Sequence, residues 1–246
     1  MTTALSNLAI TVLSLPKDSA RRARLRRDMG MAANGLNFHT PPSLEAVRAW
    51  KDQPDTHHRP GMTDGEISCA LGHLAMQKNA LASNAPFLIL EDDARYEKHA
   101  PIAELAKILC RTHDLVLFGI TTKKQFLGGC RSDVLGYRVL DMDRISIRYL
   151  RGALAYSAPE HTLRALIRHQ SESLDHADSW GRFYRAKIIR RIAVVDLFDH
   201  GDDGVSNLEE ERLQDRPTSR ARKLLKRPLL AGLRAARRLV GRHNLV

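Results

Sequence analysis

Aromatic side chains are scarce in this chain: six Phe, five Tyr and two Trp make up 5% of its 246 residues. That leaves few platforms on which nucleic-acid bases could stack, and no nucleic-acid-binding motif is evident. Cysteine is scarcer still, with Cys69, Cys110 and Cys130 standing alone. An odd number at wide spacing offers neither a disulfide framework nor a zinc-binding pattern, so reduced thiols in a cytoplasmic protein are expected. Long apolar runs are missing as well. No stretch approaches the roughly 20 apolar residues that span a bilayer. Met1 to Leu15 lacks the basic start and small-residue cleavage site of a secretory signal. No internal repeat and no low-complexity block is present.

What remains is ordinary globular material, 43% hydrophobic and 27% charged, enough for one large domain or two small ones. The net charge of +11 is placed unevenly. From Arg212 onward there are eleven Lys or Arg and one acid, Asp215, so the tail carries +10 and the body is close to neutral. Blocks of like charge mark solvated or interacting tails. The expected organisation is a catalytic or binding domain over 1–211 and a basic tail over 212–246.

The most telling stretch is Pro86-Phe87-Leu88-Ile89-Leu90-Glu91-Asp92-Asp93. A short apolar run of this kind reads as a buried strand, although periodicity alone leaves a helix open. Its carboxylates would then project from the strand's carboxyl end, where open α/β sheets bind ligands. Adjacent negative charges there call for a cation, and hard divalent ions take carboxylate oxygens together with substrate phosphates. The competing reading is a solvated turn or a helix N-terminus.

Around this run the pattern alternates. Leu8 to Leu15, Leu36 to His39, Leu115 to Gly119, Tyr137 to Leu140, Ala153 to Ser157 and Arg191 to Leu197 read as strands. Lys17 to Met29, Ser43 to Lys51, Thr63 to about Ala82, Pro101 to Arg111, Pro159 to His169 and Arg182 to Ile189 read as helices. Thr63 with Glu66 forms a capping box. Asp52 to Pro60, Thr121 to Leu135 and Asp199 to Asn207 read as loops. The alternation predicts an α/β fold with a mainly parallel central sheet covered by helices.

Several segments resemble glycosyltransferase family 25, the lipooligosaccharide galactosyltransferase-like family. Gly65-Glu66-Ile67-Ser68-Cys69-Ala70-Leu71-Gly72-His73 is similar to that family's Gly-Glu-x-Gly-Cys-x-x-Ser-His segment, with Ser68 and Gly72 standing where the family carries Gly and Ser. Leu88 to Asp93 looks like its acidic motif. Leu15-Pro16-Lys17-Asp18-Ser19-Ala20-Arg21-Arg22 resembles its first turn, and Gly152 to Ser157 followed by Leu174-Asp175-His176 resembles its acceptor-side region. The resemblance covers roughly residues 8 to 210. It implies a GT-A-like nucleotide-sugar-binding fold. It implies an inverting, metal-dependent transfer of a sugar, galactose or glucose, from a UDP-sugar to a lipopolysaccharide-type glycan. Mn²⁺ or Mg²⁺ would be held against the donor diphosphate.

On that reading Asp93 is the first metal ligand, with Glu91 on the metal or the donor ribose and His200 or His176 completing the shell. Asp92, if the backbone is still extended, points the other way and holds the turn. Arg21 or Arg22 contacts the donor, the alternative being a solvated helix face. Glu66 and His73, seven residues apart, share a helix face and line the donor pocket, or else only cap and pack. Cys69 between them reads as a small buried hydrophobe. Asp175 is the candidate general base and Asp178 the second, the alternative for Asp175 being a helix cap.

In the tail, Leu229, Leu233, Ala236 and Val240 recur at helical spacing among Arg234, Arg237 and Arg238. Such a segment suits an anionic membrane interface, which would place the protein on the inner face of the cytoplasmic membrane. Two other readings compete: a nucleic-acid-binding protein using the tail, and a non-catalytic scaffold of the same fold.

Overall fold

The computed structural model describes residues 8–30, 35–83, 86–96, 100–122 and 127–200. The basic tail lies outside them. In chain order the elements are β1 (Ala9–Leu13), α1 (Ser19–Met29), β2 (Leu36–His39), α2 (Leu44–Lys51), α3 (Asp64–Ser83), β3 (Phe87–Glu91) and β4 (Ala94–Tyr96). There follow α4 (Ile102–Leu109), β5 (Leu115–Gly119), β6 (Gly129–Val134), β7 (Tyr137–Met142), α5 (Arg144–Tyr149) and β8 (Ala155–Ser157). The last are α6 (Glu160–Glu172), α7 (Trp180–Arg185), β9 (Ile192–Val195) and β10 (Phe198–His200).

Eight strands form one sheet in the order β2-β1-β3-β8-β5-β9-β7-β6. Strands β1, β2 and β3 are mutually parallel, as are β5 and β9. β8 runs antiparallel to both its neighbours, and β7 to both of its own. The sheet is therefore mixed, with two reversed strands among six that point one way. β4 leaves the sheet and pairs with β10 in a separate antiparallel ribbon.

The strand interiors are apolar on both faces because both faces are covered. Ile10, Val12, Leu88, Leu90, Val116, Phe118, Ala193 and Val195 pack with Leu25 of α1 and Ile102, Leu105 and Leu109 of α4. The alternate residues Phe87, Ile89, Leu115, Leu117, Ile192 and Val194 pack with Met76 of α3, Leu166 of α6 and Trp180 and Phe183 of α7. This period-two split makes a helix–sheet–helix sandwich. Truncating one fully buried leucine such as Leu88 costs about 2–5 kcal/mol. An exposed pair such as Arg48–Asp64, 3.1 Å apart, contributes well under about 1 kcal/mol. Burial therefore dominates.

Three expectations need correction. The stretch Thr121 to Leu135 is not all loop, because Gly129–Val134 is an edge strand paired with β7. The last helix begins earlier and ends earlier than expected, at Trp180–Arg185, since Lys187 takes a left-handed backbone, φ 61°, that a helix cannot continue through. Phe198–His200 is a strand, while the rest of that presumed loop lies outside the described residues. No helix among the described residues is long and apolar enough to cross a membrane.

Candidate functional site

The carboxyl ends of β1 and β3 lie side by side, with Leu13 in register with Glu91. Asp92 donates its N–H to the carbonyl of Leu13 at 3.1 Å, and Glu91 donates to Leu154 at 2.9 Å. The acidic triplet is thereby pinned between the end of β1 and the segment entering β8. Its three side chains then diverge.

Glu91 turns to α3. Its Oε1 is 3.3 Å from Nε2 of His73, a residue almost wholly buried. The other ring nitrogen, Nδ1, is 3.1 Å from the hydroxyl of Tyr156, which accepts a hydrogen bond from Gln77 at 3.1 Å. The Tyr156 ring lies alongside the imidazole, centroids 5.8 Å apart. One turn earlier on α3 stands Cys69. The ligand atoms of Cys69, His73 and Glu91 all lie within 4.8 Å of one another.

Asp92 turns to α1, where its Oδ1 meets Arg21 at 3.4 Å. Burial raises its pKa, against the opposing pull of Ser14 and Arg21. Asp93 turns to β10, its Oδ2 3.0 Å from Nε2 of His200. The second oxygens, Oδ2 of Asp92 and Oδ1 of Asp93, are buried without a hydrogen-bond partner. Such orphaned carboxylate oxygens are costly unless a ligand or ion completes them. Arg22 does something else: it donates to Ser14 Oγ at 2.8 Å and Ser14 O at 2.9 Å and lies over Phe38, closing the end of β1.

A second wall comes from the segment between α6 and α7. At the start of α3 the capping box forms, Thr63 N–H to Glu66 at 3.0 Å and Glu66 N–H to Thr63 Oγ1 at 3.2 Å. The buried Glu66 also meets His176 Nε2 at 3.3 Å. Asp175, nearly fully buried, accepts from Ser179 at 2.7 Å, from the His176 N–H at 3.0 Å and from Arg59 at 3.2 Å, and pairs with Arg182. Burial works to raise its pKa. The bonds from His176 and Ser179 and the Arg182 charge overcome this and hold the carboxyl well below the usual range. Asp175, and then Glu66, push His176 up to about 9.

Asp178 is half-buried and takes the Gly152 N–H at 3.0 Å, while the Gly152 carbonyl takes the Trp180 indole N–H at 2.9 Å. Gly152 has φ 96°, and a Cβ there would fall 2.6 Å from Thr121 Oγ1 and 2.8 Å from Thr121 N. Glycine is thus required where this loop passes under the β5 end.

Helix α3 joins the two walls. Glu66, Cys69 and His73 are spaced three and four apart and share one face, rising about 10 Å from end to end. Glu66 meets the His176–Asp175 segment, and His73 meets the acidic triplet. A carboxylate, a thiol and an imidazole are thereby lined up along one face of α3 between the two walls.

No curated protein matches the chain. The family model of glycosyltransferase family 25 (LPS biosynthesis protein) matches residues 8–117. Over this stretch the chain is similar to glycosyltransferase family 25. The match points to a glycosyltransferase of lipopolysaccharide biosynthesis, with a sugar donor and a glycan acceptor. It runs from the first residues of β1 into β5 and so includes Arg21, Glu66, Cys69, His73 and the whole acidic triplet. Asp175, His176, Asp178 and His200 lie beyond the family 25 stretch.

The fold brings together several residues singled out in the sequence: Asp93 with His200, Glu91 with His73, Arg21 with Asp92, and Glu66 with His176. It does not gather Glu91 with Asp93 and His200. Among the described residues only Cys69, His73 and Glu91 form a group of three with ligand atoms so close. Sequence reasoning passed over Arg59, Arg182, Tyr156 and Gln77, whose types and positions carry no motif. Cys69 was within reach, because its four-residue spacing to His73 places both on one helix face.

Proposed function

We propose that the chain transfers a sugar, galactose or glucose, from a UDP-sugar to a lipopolysaccharide- or lipooligosaccharide-type acceptor with inversion at the anomeric carbon. The observation that carries this reading is the pair of buried, unpartnered oxygens on Asp92 and Asp93 at the ends of two parallel strands, beside Arg21. Nucleotide ligands of open α/β sheets bind at such a crevice.

The donor set is carboxylate oxygen, which suits Mn²⁺ or Mg²⁺, so Asp93, with Asp92 behind it and His200 beside it, would hold the ion. When bound, the ion neutralises charge developing on the diphosphate leaving group. Arg21 anchors Asp92 and faces the same region. Glu66 and His73 form the floor under the donor.

Inversion needs a base on the acceptor hydroxyl. Asp175 was the first candidate from sequence, but two arginines, a serine and His176 already hold it as a weakly basic anion. Asp178, three residues on and less buried, is the better placed of the two. A carboxylate needs free access to within about 3 Å of the hydroxyl to act, and Asp175 has little exposed surface.

The amphipathic basic tail would hold the enzyme at an anionic membrane face, where a lipid-linked acceptor resides. The reading is tested by incubating the full chain with a panel of UDP- and other nucleotide sugars plus Mn²⁺. One UDP-hexose should raise the Tm selectively, as a ligand of the native state does, and be turned over. Indifference to every nucleotide sugar would overturn it.

A further inference from the structure

Cys69, His73 and Glu91 present a thiol, an imidazole and a carboxylate to one point, their ligand atoms within 4.8 Å of one another. This donor set differs in kind from the oxygen-only pair on Asp92 and Asp93. Mg²⁺ takes oxygen ligands and seldom anything else. A thiolate with an imidazole selects a borderline ion, of which Zn²⁺ is the common case. The charge also balances: a thiolate, a neutral imidazole and a carboxylate together match a divalent ion.

We infer that Cys69 Sγ, His73 Nε2 and a Glu91 carboxylate oxygen form a second cation site, specific for a zinc-class ion and separate from the diphosphate-binding carboxylates.

The surroundings of His73 support this. A ligating histidine holds its other ring nitrogen on a hydrogen-bond partner that fixes the tautomer. His73 Nδ1 has such a partner in Tyr156 Oη at 3.1 Å, and Tyr156 in turn is bonded to Gln77. With no ion, the contacts of the two ring nitrogens fit a proton on Nε2 donated to Glu91, with Tyr156 donating to Nδ1. With an ion on Nε2, that proton must move to Nδ1. Tyr156 then accepts from His73 and needs a new acceptor for its own hydrogen. The buried Oε1 of Gln77 has no partner, and a flip of the Gln77 amide supplies it. The relay His73–Tyr156–Gln77 can thus serve either state.

Three protein ligands leave one position open, the arrangement of sites that bind water or substrate rather than of purely structural ones. Cys69 and Glu91 are the partly exposed members, Glu91 with about a quarter of its side chain accessible. Binding here would also tie α3 to the end of β3.

Cobalt is the direct probe, because a Co²⁺–thiolate bond gives a charge-transfer absorption that oxygen and nitrogen ligands do not. Titrating the full-length protein with Co²⁺ should give this band, saturating at one ion per chain and displaced by Zn²⁺ but not by Mg²⁺. Cys69→Ser should abolish it. Tyr156→Phe should weaken binding about 10–100-fold, the usual cost of losing a partner behind a metal-bound histidine. Cys130→Ser should leave it unchanged, as Cys130 is an exposed thiol elsewhere. Asp93→Asn should also keep the band, which separates this site from the proposed transferase chemistry. Absence of the band in the wild-type protein, or its persistence in Cys69→Ser, would overturn the inference. Should Cys69→Ser fail to fold, the wild-type chain still decides: Zn²⁺ must protect Cys69 from alkylation, located by peptide mass, and equal labelling with and without Zn²⁺ rules the site out.

Discussion

His176 Nε2 stands 3.3 Å from Glu66 Oε2, and this contact ties the segment between α6 and α7 to the first turn of α3. Its strength follows protonation. Asp175 first, and Glu66 next, raise His176 from its ordinary 6.5 to about 9. A group raised on folding stabilises most below its unfolded pKa and loses that contribution as pH climbs through the folded one. The Tm should therefore fall as pH rises from about 6.5 to about 9. In His176→Gln that portion of the decline should vanish, with a lower Tm near pH 6. Thermal melts of both proteins across this range check it, and parallel profiles would show that the contact carries no linkage.

Asp93→Asn should cut transfer by at least about a hundredfold. An ion at a developing diphosphate supplies several kcal/mol, and each 1.36 kcal/mol is a factor of ten. Far-ultraviolet circular dichroism should be unchanged. Steady-state kinetics with and without added Mn²⁺ make the measurement, and full activity in excess chelator would remove the metal from the mechanism.

Asp178→Asn should lower kcat by about 10²–10⁴-fold, the range of general-base catalysis, while leaving the affinity for the nucleotide sugar close to normal. Asp175→Ala should act differently. It strips a buried anion from Arg182 and His176, a change that costs about 3–5 kcal/mol when a buried pair loses one partner, so its main effect should be a lowered Tm. Comparing kcat and Tm for the two variants assigns the roles. A large kcat loss in the Asp175 variant at unchanged Tm would return the base to Asp175.

The tail should carry membrane affinity. Full-length protein is expected to co-sediment with anionic vesicles and little with neutral ones, and the chain ended at Glu211 should lose this. Each Lys or Arg near such a surface contributes on the order of 1 kcal/mol, screened by salt. Equal sedimentation of both proteins would dismiss the tail as an anchor.

The central strands were legible because their chemistry is local: Phe87 to Leu90 is buried on both sides, and such a run has few alternatives. β6 escaped notice because Gly129–Val134 is largely exposed and is a strand only through its pairing with β7. α5 hid behind a single local signal, the Asp143 carboxylate accepting the Ser146 N–H at 2.6 Å. At the site, Asp92 and Glu91 do diverge, one towards α1 and the other towards α3, but through a turn that begins at Asp92 rather than through the alternation of an extended strand. What it could not supply was partnership between distant segments. Arg59 lies 116 residues from Asp175, and nothing near either residue announces their ion pair.

The reversed direction of β8 has a consequence for assembly. β8 fills the gap between β3 and β5, yet it is made almost forty residues after the family 25 stretch ends. A nascent chain that has reached only Leu117 therefore exposes the hydrogen-bonding edge of β3, whose first four residues, Phe87 to Leu90, are apolar and lack proline. Such edges recruit other chains. The stretch that matches family 25 is therefore not expected to fold by itself. Its solubility during synthesis hangs on a three-residue strand that arrives late, and truncations between Gly119 and Ser157 should aggregate rather than yield a minimal donor-binding module.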